Sequence, residues 1–216
     1  MSQKISLKEA ERRAFTATFQ DGLWDIFIGC MVMMLAVAPL LSRSLGDFWA
    51  SAVFLPFYGL VYLAIRWARK HVVTPRIGTV EFGAWRKARL MKFNLLMLVL
   101  LVVALILGAL STVDFGLVSG WVVAARFSLS VLVIFGIPAY FLNFYRLYAY
   151  ALLVAVAPLV GEWLYVNLKF SHHGYPVTFG MTAGIMILTG AALFVRLVRE
   201  HPIPESDGAV SEATAE

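Results

Sequence analysis

Six stretches of the chain carry almost no polar side chain. Each approaches the roughly 20 residues that a helix needs to cross the ~30 Å hydrocarbon core of a bilayer. They run from about Trp24 to Leu41, Phe48 to Ile65, Phe93 to Leu110, Phe127 to Phe144, Tyr148 to Asn167 and Phe179 to Val198. The third is the plainest, since Leu95 to Leu107 contains no polar atom outside the backbone. The pattern predicts an all-α polytopic membrane protein with six transmembrane helices over residues 23–198.

The segments between the spans divide into three kinds. Residues 1–22 predict an amphipathic helix: Ser6 and Glu9 have capping-box spacing, and Phe15, Phe19 and Leu23 share one face with Lys8, Glu9, Arg12 and Arg13 opposite. Such a helix either lies in the membrane interface or packs on the inner loop. Residues 66–92 form a basic loop. In it Thr74-Pro75-Arg76-Ile77-Gly78 reads as a turn, Val72-Val73 and Val80–Phe82 as arms of a short β-hairpin, and Ala84 to Lys92 as a basic helix. After His201-Pro202, residues 199–216 read as a disordered tail.

Composition agrees with the pattern. Hydrophobic residues make up 61% of the 216 positions and charged residues 14%, against roughly a quarter charged in a soluble domain. The net charge of +5 in so apolar a chain points to anionic lipid headgroups and not to nucleic acid. With the N-terminus inside, fifteen Lys and Arg fall on the inner side and Arg43, Arg126 and Lys169 outside, which predicts both termini in the cytoplasm. More than twenty residues precede the first apolar run, which argues against a cleaved signal peptide. Cys30, the single cysteine, reads as a buried structural thiol and excludes an intramolecular disulfide.

Asp21-Gly22-Leu23-Trp24-Asp25 before the first span, together with Thr74-Pro75-Arg76-Ile77-Gly78 in the inner loop, resembles motifs of uncharacterised bacterial multi-pass inner-membrane proteins. The resemblance implies a bacterial inner-membrane location and carries no function.

Ionisable residues at the spans are the candidate chemistry, because they are costly there. Asp21 and Asp25 lie four apart, on one face at the start of span one, with Arg86 or Arg89 as expected partners. Glu162 follows Pro158 by four residues; its expected outer-side neighbours are Arg126, Asp114 and the His172-His173 pair. Glu162 then either ties two helices together through Arg126 or joins Asp114 and His172 in a proton or ion site. Arg76, Arg86, Lys87 and Arg89 make a candidate inner interface, and Gly180 with Gly184 a GxxxG packing face on span six. Pro56 and Pro158 sit within the second helix of each half, as in transporters built from inverted repeats. No metal, cofactor or catalytic motif is readable, so the expectation is no enzyme, no cofactor and no metal.

These features predict a non-enzymatic accessory, assembly or regulatory subunit of a membrane system. Its expected contacts are membrane lipids and either a membrane-protein partner or further copies of itself. The alternative is a small-solute or ion transporter or channel that works as an oligomer.

Overall fold

The computed structural model describes residues 19–77, 91, 95 and 119–202. Every regular element in them is helical, and five spans are long and apolar enough to cross a membrane, as befits a membrane-embedded protein. The expected helix over residues 1–18, the loop beyond Ile77 with Arg86, Lys87 and Arg89, nearly all of the third span, Asp114 and the tail from Ile203 lie outside the described residues.

Helix α1 spans Leu23–Leu45. Its entry and exit are set by Gly22 and Gly46, both at φ 76, a left-handed backbone that glycine adopts without steric cost. Pro39 lies inside α1, and Ser42 Oγ donates to its carbonyl at 3.0 Å. The second span divides into α2, Asp47–Ala52, and α3, Phe54–Ala68. The division falls just ahead of Pro56, which has no N–H to offer the carbonyl four residues back. A π-helical turn, Arg69–Val73, and the short α4, Thr74–Ile77, end the span. Val72 and Val73 are therefore helical and form no arm of a hairpin.

Helix α5 covers Gly120–Leu142 and closes on Asn143 in the left-handed region. It starts seven residues before the expected Phe127, because Trp121-Val122-Val123-Ala124-Ala125 continue the helix. Helix α6, Arg146–Leu168, ends on left-handed Lys169; a 3₁₀ turn, Ser171–Gly174, leads into α7, Tyr175–Glu200. Pro39, Pro138 and Pro158 all lie inside helices, whereas Pro56 sits in the first turn of α3. The prolines therefore do not single out matching positions in two halves.

The first and last described spans, α1 and α7, make the most extensive helix contact; α5 packs on α6, and α6 on α7. Met186 and Val154 are among the largest fully buried side chains, and Ala36, Ala155 and Ala183 let the backbones approach. In α3 only Phe54 is buried, while Leu55, Leu60, Leu63 and Trp67 point outward. Apolar exposure on that scale suits lipid contact, not water.

The closest helix contact is glycine-mediated, but not at the expected positions. A Cβ on Gly190 would lie 2.7 Å from Gly22 O, and one on Gly29 would lie 3.2 Å from Ala183 O. At Gly180 the nearest described atom is Ala36 Cβ at 3.8 Å, and at Gly184 none falls within 4 Å. Among the described residues the tight α1–α7 crossing is formed by Gly22, Gly29 and Gly190, and not by the Gly180–Gly184 pair.

Candidate functional site

Two polar clusters lie at opposite ends of the bundle. The first gathers around Asp21 and Asp25. Asp21 precedes α1, and its Oδ1 accepts the backbone N–H of Leu23 at 3.0 Å. It thus satisfies one of the free donors of the first turn, a role the side-chain-free Gly22 cannot fill. Its Oδ2 accepts from Arg69 Nη2 at 2.7 Å. The π-helical turn brings Arg69 there and sets its guanidinium 5.7 Å from the centre of the Trp24 ring. Burial pushes the Asp21 carboxyl above its ordinary value; Arg69 and the Leu23 N–H oppose that without overcoming it.

Asp25, one turn further on, is wholly buried. Tyr150 donates its hydroxyl to Asp25 Oδ1 at 2.6 Å, and Arg146 Nη2 stands 3.1 Å from Oδ2. Arg146 also donates to Phe19 O at 2.5 Å and packs 5.2 Å from the centre of the Phe144 ring. Phe19 in turn stacks on Phe144 at 5.5 Å. The two aspartates thus join α1 to the end of α3 and to the start of α6.

Sequence reasoning placed the aspartates on one face but missed Arg69, Arg146 and Tyr150. Arg146 and Tyr150 are four apart, so they lie on one face of α6, and that spacing was the available signal. The expected partners Arg86 and Arg89, with Lys87, lie outside the described residues. Arg76 donates to Val72 O at 2.7 Å, closing its own turn.

The second cluster centres on Glu162, which is buried in α6. Its Oε2 lies 2.8 Å from His173 Nδ1. Gly120 at the start of α5 leaves room for the carboxylate, since a Cβ there would overlap Glu162 Oε1. The negative group therefore sits against the positive end of the α5 dipole. Gly161 and Gly174 meet backbone to backbone, with a Cβ on Gly161 falling 2.7 Å from His173 O.

The partner of Glu162 is thus His173, and not Arg126 or His172. Arg126 lies in the second turn of α5 with an exposed side chain, and Asp114 lies outside the described residues. What selects His173 is backbone geometry. Lys169, His172 and His173 have φ of 57, 52 and 54, and Gly174 follows at 64. Left-handed non-glycine residues each cost roughly 1–2 kcal/mol, so the surrounding contacts must impose this turn. The ring of Tyr165 lies 4.2 Å from that of His173, and Tyr175 lies 5.7 Å from it on the other side.

A third interaction crosses the α5–α6 pair. Ser128 Oγ on α5 has two carbonyl acceptors for its one hydrogen, Ala124 O in its own helix at 2.9 Å and Ala155 O on α6 at 2.5 Å. The shorter of the two ties the helices together.

The arrangement holds carboxylates in fixed pairs at both ends of the bundle. Among the described residues no three His, Cys, Asp or Glu side chains come together as a metal site. Comparison with protein-family models, with curated proteins and with solved structures returns no match.

Proposed function

We propose that this chain is a non-enzymatic accessory, assembly or regulatory subunit of a membrane system, set in a bacterial inner membrane. The observation that carries the reading is how the buried carboxylates are used. Asp21, Asp25 and Glu162 are each held by a side chain from another element, two of them by arginines. Groups so engaged hold helices together and are not left for chemistry on a substrate. What remains for interaction in this reading is the outer surface and the basic residues Arg86, Lys87, Arg89 and Lys92 beyond the helical stretch 66–77, a charge pattern suited to anionic headgroups and to a partner.

In this reading the chain crosses six times, with both termini in the cytoplasm. Arg69 and Arg76 lie towards the aspartate end, whereas Gly120 lies against Glu162 at the other. In this reading the chain between them crosses once more, and Phe93–Leu110 is the apolar run suited to that crossing. The bacterial location follows the resemblance of the segments at Asp21–Asp25 and Thr74–Gly78.

The test is partner recovery after gentle extraction from the native membrane. Reversing the charge at Arg86, Lys87 and Arg89 is expected to abolish recovery of a stoichiometric second protein while leaving membrane insertion intact. Recovery that survives the reversal removes the basis of the reading. Thiol labelling of Ser44→Cys and Ser171→Cys, in a Cys30→Ala background, is expected from the outer side only.

A second reading, an oligomeric transporter or channel for a small solute or ion, draws on one observation. Glu162 is a buried carboxylate one turn past Pro158 in α6, and it contacts a half-exposed imidazole. Under this reading Glu162→Gln removes flux, or its pH dependence, in reconstituted vesicles.

A further inference from the structure

We propose that Glu162 and His173 form a proton-operated latch that holds the turn between α6 and α7 closed on the bundle. The proposal depends on neither functional reading above, because it concerns the state of the turn and not what the protein carries or binds.

Three observations meet here. The acceptor is buried and the donor is accessible: the Glu162 side chain is 5% exposed and that of His173 46%, with 2.8 Å between Oε2 and Nδ1. Protons from solution therefore reach the imidazole without passing through the bundle. The turn is held in an unfavourable backbone, with Lys169, His172 and His173 all left-handed. Such a turn keeps its shape only while its contacts enforce it. Finally, the contacts that would part on opening are short-range: the Gly161–Gly174 backbone approach and the Tyr165 ring against His173.

The pair responds to protons because histidine is the side chain whose ordinary titration falls between about pH 5 and 8. As imidazolium, His173 sets a full positive charge beside the Glu162 carboxylate as well as a hydrogen bond; as neutral imidazole it keeps at most the hydrogen bond. The latch therefore tightens with the proton on His173 and loosens without it.

Among the described residues, the groups that share its surroundings can be named element by element. From α6 come Glu162 itself and Tyr165, and from α7 comes Tyr175. The turn contributes His172 and, just before it, Lys169. From α5 comes Gly120, which brings no side-chain charge, only the peptide dipoles of the helix start. Arg126, six residues further along α5, is exposed and makes no ion pair among the described residues. His172 is thus the control imidazole on the same turn.

The experiment is hydrogen–deuterium exchange of the full chain in lipid nanodiscs, at about pH 5.5 and about pH 8, corrected for intrinsic exchange rates. Peptides covering 164–178 are expected to exchange about three- to tenfold more slowly at the lower pH. His173→Gln is expected to abolish that difference and His172→Gln to preserve it. Glu162→Gln is expected to leave the turn fast at both values. Because His173 is half-exposed, its replacement tests the latch even where the Glu162 variant fails to fold. Equal protection of the native turn at both pH values overturns the proposal. So does a pH difference that survives His173→Gln, or one that vanishes with His172→Gln.

Discussion

A methyl group at position 190 tests the packing of α1 on α7 more sharply than any charge change. In Gly190→Ala the new Cβ would stand 2.7 Å from Gly22 O and 2.8 Å from Ile26 N, both main-chain atoms that cannot turn away. Optimal contact between heavy atoms is about 3.5–4.0 Å, so the two helices must part locally by roughly 1 Å. Overpacking of this kind costs about 1–3 kcal/mol. Alanine returns up to about 1 kcal/mol through its better helix propensity, leaving a net loss of about 0–2 kcal/mol. Gly184→Ala is the matched control. No described atom lies within 4 Å of its new Cβ, so only the propensity gain of up to about 1 kcal/mol remains. The two variants should differ by about 1–3 kcal/mol in reversible unfolding by SDS in mixed micelles, with Gly190→Ala the weaker. Equal stabilities, or a larger loss at Gly184, would refute the assignment of the crossing to Gly22 and Gly190.

Other perturbations follow from the polar clusters. Arg146→Gln leaves the wholly buried Asp25 without its counter-charge, and an unfolding loss of about 3–5 kcal/mol is expected. Tyr150→Phe removes a neutral donor from the same carboxylate and should cost about 1–3 kcal/mol in the same assay. Asp21 binds its proton more readily in the folded chain than in the unfolded one, because burial raises it above 3.8. Its contribution to stability is therefore full below 3.8 and is lost as pH rises from there through its raised folded-state value. Asp21→Asn should flatten that part of the stability–pH curve, and an unchanged slope would count against it. Ser128→Ala deprives Ala155 O of its cross-helix donor, for an expected loss of about 0.5–1.5 kcal/mol.

The spans are readable because each is a continuous apolar run, and all five described ones begin or end within a few residues of expectation. The start of α5 is not, since Trp121 to Ala125 is as apolar as the run it extends and Arg126 looks like a boundary. Which side chains pair was hidden by distance along the chain. Arg69 is 48 residues from Asp21, and Tyr150 is 125 from Asp25. Adjacent histidines look alike in sequence; a run of left-handed residues turns His173, and not His172, onto Glu162. The GxxxG spacing correctly identifies a small-residue face, but spacing does not say which face meets a neighbour. On α7 the meeting face carries Ala183 and Gly190.

The pairing of α1 with α7 also governs when the molecule can be completed. Among the described residues its most extensive helix contact joins the earliest span to the latest, and Gly22 finds Gly190 only once every span between them has been synthesised. Until then Asp25, set into the membrane end of α1, must wait with only its α6 partners for company. A ribosome that stops short of Gly190 therefore releases a chain whose first helix has an unmatched glycine face. Quality-control proteases would meet such a chain as a distinct, recognisable species. Loss of the last helix should thus be felt first at the other end of the sequence.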